Sequence, residues 1–379
     1  MKIIKSFLIL GMSTFSVICC SQRKDKVAVD RSLIVTQKIA VQTGDFFKIE
    51  TALPKGYVKD GTVDYTEYIQ KAIDGNKNVI MPDFPLMTSG VFAQSGSQIY
   101  FQKNSSLILK PTANVRYQII SLHGVENVKI YNPTLVGDRD KHLDSKGEWG
   151  FGIDIRGSRN IEIFNANISN CWGDGIVVVK TMRNMRAGIT KDKLLSTEKI
   201  NIIGGIINNV RRNGITIAGG KDVLIKDLLI TNINGTNPMA GIDIEPDDSS
   251  NELENINIEN VKINNANVGI DLHLAQYGNQ KVSKSVTVSC NNITVENANS
   301  GIYIAGYKTR PNIKEMIGYF KIDNFVTHNV TRPFEKREQF GLYPMIQMNN
   351  YKFNINNKID SSKESLLKNV KDNSKFRYQ

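Results

Sequence analysis

Gly152-Ile153-Asp154-Ile155 is the first of six copies of one short strand. The others are Gly175-Ile176-Val177-Val178, Gly214-Ile215-Thr216-Ile217, Gly241-Ile242-Asp243-Ile244, Gly269-Ile270-Asp271-Leu272 and Gly301-Ile302-Tyr303-Ile304. Their glycines fall 23, 39, 27, 28 and 32 residues apart, and the long gap holds an insertion, Lys180 to Lys199. A strand recurring at this period marks a solenoid, with one coil taking roughly 23 to 30 residues. Strand side chains alternate with period two, so the second and fourth residues of each copy share a face, and all twelve are Ile, Val or Leu. That face is the expected core. The third and fifth residues point outward and stack in columns, about 4.8 Å per coil.

Each coil carries more than this strand. Asn160-Ile161-Glu162-Ile163 and Asn167-Ile168-Ser169-Asn170 follow the first copy, and second strands recur at Lys199-Ile200-Asn201-Ile202, Asp222-Val223-Leu224-Ile225, Asn255-Ile256-Asn257-Ile258 and Ser285-Val286-Thr287-Val288. Asn165, Gly204, Asp227, Asn260 and Asn291 follow them, residue types that tolerate the left-handed backbone of a tight bend. Stacked Asn side chains could pair along the axis as a ladder. No stretch shows apolar residues at helical spacing for three turns. The expected fold is therefore all-β, a single-stranded parallel β-helix with three strands per coil. An amphipathic helix, Tyr65 to Asp74 with Asp64 as N-cap, is suited to plug its amino-terminal end.

Within the 379 residues, 1–20 reads as an export signal: Lys2 and Lys5, an apolar run from Phe7 to Ile18, then Cys19-Cys20-Ser21. A cysteine closing such a segment implies lipidation, at Cys20 or Cys19, and a periplasmic or outer-surface lipoprotein of a bacterium. Residues 21–45 read as a tether, 46–96 as the amino-terminal cap and first strands, 97–355 as the β-helix and 356–379 as a polar tail. Only Cys171 and Cys290 remain after processing, so neither a disulfide framework nor a cysteine metal site is implied. The net charge of +11 falls to +9 without Lys2 and Lys5. A basic exported surface favours an anionic polysaccharide over nucleic acid as partner.

The outward columns read Asp154, Val177, Thr216, Asp243, Asp271, Tyr303 and Arg156, Val179, Ala218, Glu245, His273, Ala305. Asp243 and Asp271 fall opposite each other, where like charges destabilise a sheet. Paired carboxylates beside a titratable His suit general acid/base chemistry; the same oxygens could instead hold Ca²⁺ at Asp243, Glu245 and Asp271. Two loops would wall a groove above them. Gly137 to Gly150 carries Glu148 and Trp149, and the basic insertion carries Lys180, Arg183 and Arg186. Trp149 and Trp172, the only tryptophans, are both placed to stack on sugar rings.

Tyr68-Ile69-Gln70-Lys71-Ala72-Ile73, Val79-Ile80-Met81-Pro82 and Ser106-Leu107-Ile108-Leu109-Lys110 resemble the amino-terminal region of pectin-lyase-like β-helix proteins. That group includes the family 28 glycoside hydrolases (polygalacturonases) and phage tailspike depolymerases. The resemblance covers roughly residues 60 to 330 and implies a right-handed helix acting on polysaccharide. In polygalacturonases an Asn-Thr-Asp-Gly strand start supplies a catalytic Asp, the next coil an Asp pair, and later coils His-Gly and Arg-x-Lys. Gly173-Asp174-Gly175-Ile176 matches the first motif in part, which implies a catalytic role for Asp174. The next coil instead reads Arg211-Arg212-Asn213-Gly214, and the later Gly-Ile strands carry neither remaining motif.

These readings converge on an exported enzyme that cleaves an acidic polysaccharide by hydrolysis. Its catalytic candidates are Asp174, Asp243, Glu245, Asp271 and His273, and its substrate-binding candidates Glu148, Trp149, Asp154, Trp172, Lys180, Arg183 and Arg186. Hydrolysis needs no cofactor. One alternative is a lyase that cleaves a uronate chain by β-elimination, with Ca²⁺ or a cation neutralising the carboxylate. The other is a non-catalytic glycan-binding or surface-structural solenoid, which needs only the groove.

Overall fold

The structure, a computed structural model, describes residues 26–180, 196–279, 283–306, 316–337, 342–355 and 377–378. The export signal with Cys19 and Cys20, the basic insertion at 181–195 with Arg183 and Arg186, and all of the tail except 377–378 lie outside the described residues.

The chain winds as a parallel β-helix. Its Gly-Ile strands pair only with the equivalent strand one coil away: Ile153 with Ile176, Ile176 with Ile215, Ile215 with Ile242, Ile242 with Ile270, and Ile270 with Ile302. All twelve apolar positions of the six copies are fully buried, because each coil places its alternate residues on the faces of the coils beside it. The glycine that opens each copy answers to space. A Cβ on Gly152, Gly175, Gly214, Gly241, Gly269 or Gly301 would stand within 3 Å of the carbonyl oxygen one coil on.

Three ladders of polar side chains run along the bends. Asn165 donates to Asn132 at 2.8 Å, Asn260 to Asp227 at 2.5 Å and Asn292 to Asn260 at 3.0 Å. Asn292 replaces the expected Asn291 at the left-handed bend, with φ 56°. A second ladder joins Asn232 to Asn208 and Asn265 to Asn232, and a third joins Asn160 to Asn127. Each of these side chains donates its amide to the coil before it.

The helix spans Thr66–Gly75 and buries Ile69, Ala72 and Ile73. The N-cap is Tyr65, one residue past the expected Asp64, and it makes no side-chain cap bond; Asp64 accepts from the Thr66 amide at 3.0 Å from the position before it. At the other end the repeat continues further than the Gly-Ile pattern suggests. The strand Ile317–Lys336 stacks Phe334 on Ile302 and Glu335 on Tyr303, with Pro333 where earlier copies have glycine. Arg377–Tyr378 adds a last pairing, against Gln347 and Met348.

Residues 26–45, read from sequence as a tether, lie against the solenoid. The Gln37 amide donates to Asn165 at 2.6 Å and Asn165 returns a bond to the Gln37 carbonyl; Val27 and Asn232 exchange the same pair of bonds. Between these anchors sit Ile206 and Leu229, which point outward from the third strands of their coils yet are only 6% and 3% exposed. Ile34 and Thr36 share a shallow cavity of about 410 Å³ with Ile206. Nine of the twenty residues of this stretch are Val, Leu, Ile or Ala, a composition suited to lying along an apolar stripe.

Candidate active site

The carboxylates come together on the outward face of the Gly-Ile sheet, because the register stacks one third position on the next. Thr216 pairs with Asp243, and Asp243 with Asp271. Asp174, from the turn two coils earlier, joins them at the strand starts. It is fully buried and all its oxygens are engaged: the Asn213 amide donates at 3.0 Å, the Thr216 hydroxyl at 2.9 Å and Arg212 at 3.1 Å. Burial pushes its carboxyl up to about 6 against the pull of Arg212.

Arg212 organises the group. Its guanidinium reaches Asp174 at 3.1 Å, Asp243 at 4.0 Å and Glu245 at 3.9 Å. Asn213 ties the same coils by donating to Asp243 at 2.8 Å and to Thr216 at 3.1 Å while accepting from the Ala240 amide. Sequence reasoning passed over both residues. They occupy the turn where an Asp pair was sought, and their reach across coils becomes visible only once the coils are stacked.

Asp243 and Asp271 differ from Asp174 in one respect: each leaves a buried carboxyl oxygen with no hydrogen-bond partner. Burial, then the neighbouring Asp271 and Glu245 charges, raises Asp243 well above the carboxylate range. Asp271 is pushed up to about 8 by burial, then by Glu245 and by Glu335 one coil beyond its Tyr303 neighbour. At neutral pH the pair therefore holds protons. Glu245 is the open member, with 29% of its side chain exposed. His273 lies partly exposed at the end of the Asp271 strand and makes no hydrogen bond to these acids.

Among the described residues no group of three or more His, Cys, Asp or Glu side chains is arranged to hold a metal ion. Arg212 lies 4.0 Å from Asp243 and 3.9 Å from Glu245, two of the three residues that could instead hold Ca²⁺.

The predicted binding residues fall in three places. Asp154 is buried, accepting from Arg156 at 2.7 Å and His123 at 2.9 Å; burial alone would raise it, but the Arg156 charge and the His123 hydrogen bond outweigh that and hold it low. It lies in the same outward column as Asp243 and holds Arg156 and His123, while its other oxygen is buried without a hydrogen-bond partner. Trp172 has both faces taken, one by His142 at 4.2 Å and the other by Arg211 at 3.8 Å, while its indole N–H donates to the Lys146 carbonyl. His142 is itself held by buried Asp138 at 2.8 Å, so the loop after Gly137 folds onto Trp172 as a plug. Lys180 is turned toward Ser250 and Asp248. Trp149 is 39% exposed, with the Arg116 guanidinium 5.2 Å from its ring centroid, and Glu148 lies close enough to act on Arg212 and Arg211.

The solenoid is a parallel β-helix with a carboxylate-lined outward sheet face. No family model matches the chain. Two curated relatives, both from Bacillus subtilis (strain 168), are 30% identical to it: the uncharacterized protein YclG over 206 residues, 52% of this chain and 34% of that one, and the SPbeta prophage-derived uncharacterized protein YorA over 172 residues, 42% and 28%. The match spans about a third of the length of these relatives. Among solved structures, a 1,3-α-1,4-β-D-galactose-4-sulfate-3,6-anhydro-D-galactose-2-sulfate 4 galactohydrolase superposes with a TM-score of 0.52 at 12% identity, over 89% of this chain and 96% of that one. At that identity the likeness is one of fold.

Proposed function

We propose that this chain is an exported enzyme that cleaves a polysaccharide by glycoside hydrolysis, with Asp271 as general acid and Glu245 as general base. The observation that carries the reading is the stacked pair Asp243 and Asp271, each with a buried, unpartnered oxygen. An unpaired buried carboxyl destabilises a fold, and a sheet face with no task would not concentrate two of them. Asp271, held protonated to about pH 8, gives its proton to the glycosidic oxygen as the bond to the anomeric carbon breaks. Glu245 takes a proton from the water that attacks that carbon, and Arg212 keeps Glu245 beside the acid pair. Asp174 acts through Arg212 and does not touch the substrate. The glycan-acting solved structure of the same fold supports the substrate class.

Export with lipidation at Cys20 belongs to the same proposal, supported by the Lys2, Lys5 and Phe7 to Ile18 pattern. Cys20→Ser should then release the protein from membranes.

Incubation with a panel of acidic and neutral glycans tests the activity. New reducing ends without ultraviolet absorbance indicate hydrolysis; an absorbing unsaturated sugar would replace this reading with β-elimination. Turnover that survives in both Asp271→Asn and Glu245→Gln would remove the assigned roles.

A further inference from the structure

Away from the acids, the amino-terminal coils present cations to the same groove. Arg116 and Trp149 occupy one register position on neighbouring strands, and the guanidinium lies 5.2 Å from the indole centroid. Both are exposed. Among the described residues Arg116 has no hydrogen bond or ion pair, so its donors are free. Arg156, at the far end of the same strand as Trp149, is anchored through Nε to buried Asp154, which leaves its terminal nitrogens uncommitted. Burial and then the positive charge of Arg156 hold Arg116 below the ordinary arginine value, so the two cations repel across the groove. Exposed Asp247, on the turn after the Asp243 strand, is near enough to feel Arg156, Arg212 and Arg116, yet forms no contact ion pair with any of them.

We infer that Arg116 and Trp149 form a subsite for an anionic sugar residue, one bearing a carboxylate or a sulfate, about three coils from Asp243, with Arg156 as a second cation further along the same strand. A ring stacked on Trp149 would present its charged substituent to Arg116, whose guanidinium makes forked pairs with oxyanions. The Asp154 carboxylate serves as the post that aims Arg156. From the strand assignments, Trp149 and Arg156 belong to the coil of Asp154, and Asp243 lies three coils on, which at the strand spacing is ~14 Å. The subsite therefore reads charge at a sugar remote from the bond that is cut. The negative turn at Asp247 marks the boundary between this cationic end and the acidic end.

The inference rests on the glycan reading but is tested by binding, apart from turnover. The Asp271→Asn protein, which retains the subsite, is run in affinity gels containing polygalacturonate, a sulfated galactan, or neutral dextran. Retardation by at least one anionic polymer, absent in dextran and weakened by salt, is expected. Arg116→Ala and Trp149→Ala, made in the same background, should each lower that affinity roughly tenfold or more, with Arg116→Lys between parent and Ala. Polygalacturonate against sulfated galactan separates a carboxylate site from a sulfate site. Equal retardation in dextran, or unchanged affinity in both Ala variants, overturns the subsite. Anion binding without turnover of any glycan by the parent would leave the subsite standing and remove the hydrolase.

Discussion

Asp243 and Asp271 stand directly opposite each other on neighbouring parallel strands, and neither finds a hydrogen-bond partner for its second oxygen. The arrangement has a measurable cost in stability. An unfolded Asp titrates near 3.9, whereas Asp271 is pushed up to about 8, so between these values the folded protein binds the extra proton. Stability therefore falls as pH rises from about 4 to about 8 and levels off above. Asp271→Asn should remove its share of this slope, leaving the part that Asp243 contributes, and make the variant more stable at pH 8 by on the order of a few kcal/mol. Denaturant melts at pH 5 and pH 8 check it; a parent and variant with identical slopes would mean that Asp271 is ionised throughout.

The same raised carboxyl shapes catalysis. A general acid works only while protonated, so kcat/KM should decline above about pH 8 in the parent. Asp271→Asn should lower kcat by roughly a hundredfold or more and abolish that alkaline limb. A pH–rate profile on the best glycan found decides this, and an alkaline limb that persists in the variant assigns it to another group.

Arg212 carries charge for three acids at once. Arg212→Met leaves buried Asp174 and Asp243 without their cation, and losing one partner of a buried pair typically costs about 3 to 5 kcal/mol. The carboxyl of Asp174, now at about 6, should climb further, so the loss deepens as pH rises above about 6. Asp174→Asn added to Arg212→Met should recover part of it. Equal melting temperatures for the single and double variants at pH 7 would show that Asp174 does not depend on Arg212.

The parts of this molecule that were legible in its sequence are those governed by period two. Alternation gave the buried face of Ile153, Ile155 and their ten equivalents, and because the copies align without a slip it also gave the Asp243–Asp271 juxtaposition. What escaped depends on contacts between turns. Arg212 and Asn213 sit outside any strand and act across coils. Glu335 was hidden because Pro333 stands in place of the repeating glycine. Trp172 looked open because His142 and Arg211, which enclose it, lie 30 and 39 residues away in sequence. Ile206 and Leu229, by contrast, were a signal: apolar residues at outward positions require a cover.

That cover is residues 26–45, and its contribution can be measured. Removing it would expose Ile206 and Leu229, which at about 1.5 to 3 kcal/mol per fully buried aliphatic side chain sets a loss of about 3 kcal/mol or more, to which the freed Asn165 and Asn232 amides add little because water replaces the lost bonds. A protein beginning at Phe46 should unfold at lower denaturant than one beginning at Lys26. Ile206→Ser combined with Leu229→Ser should destabilise the longer form and stabilise or leave unchanged the shorter one, because the polar residues then face water. The double-mutant cycle between the truncation and the serine pair isolates the contact from any general effect of shortening the chain. Equal destabilisation of both forms by the serine pair would mean that the stripe is buried by something other than this segment.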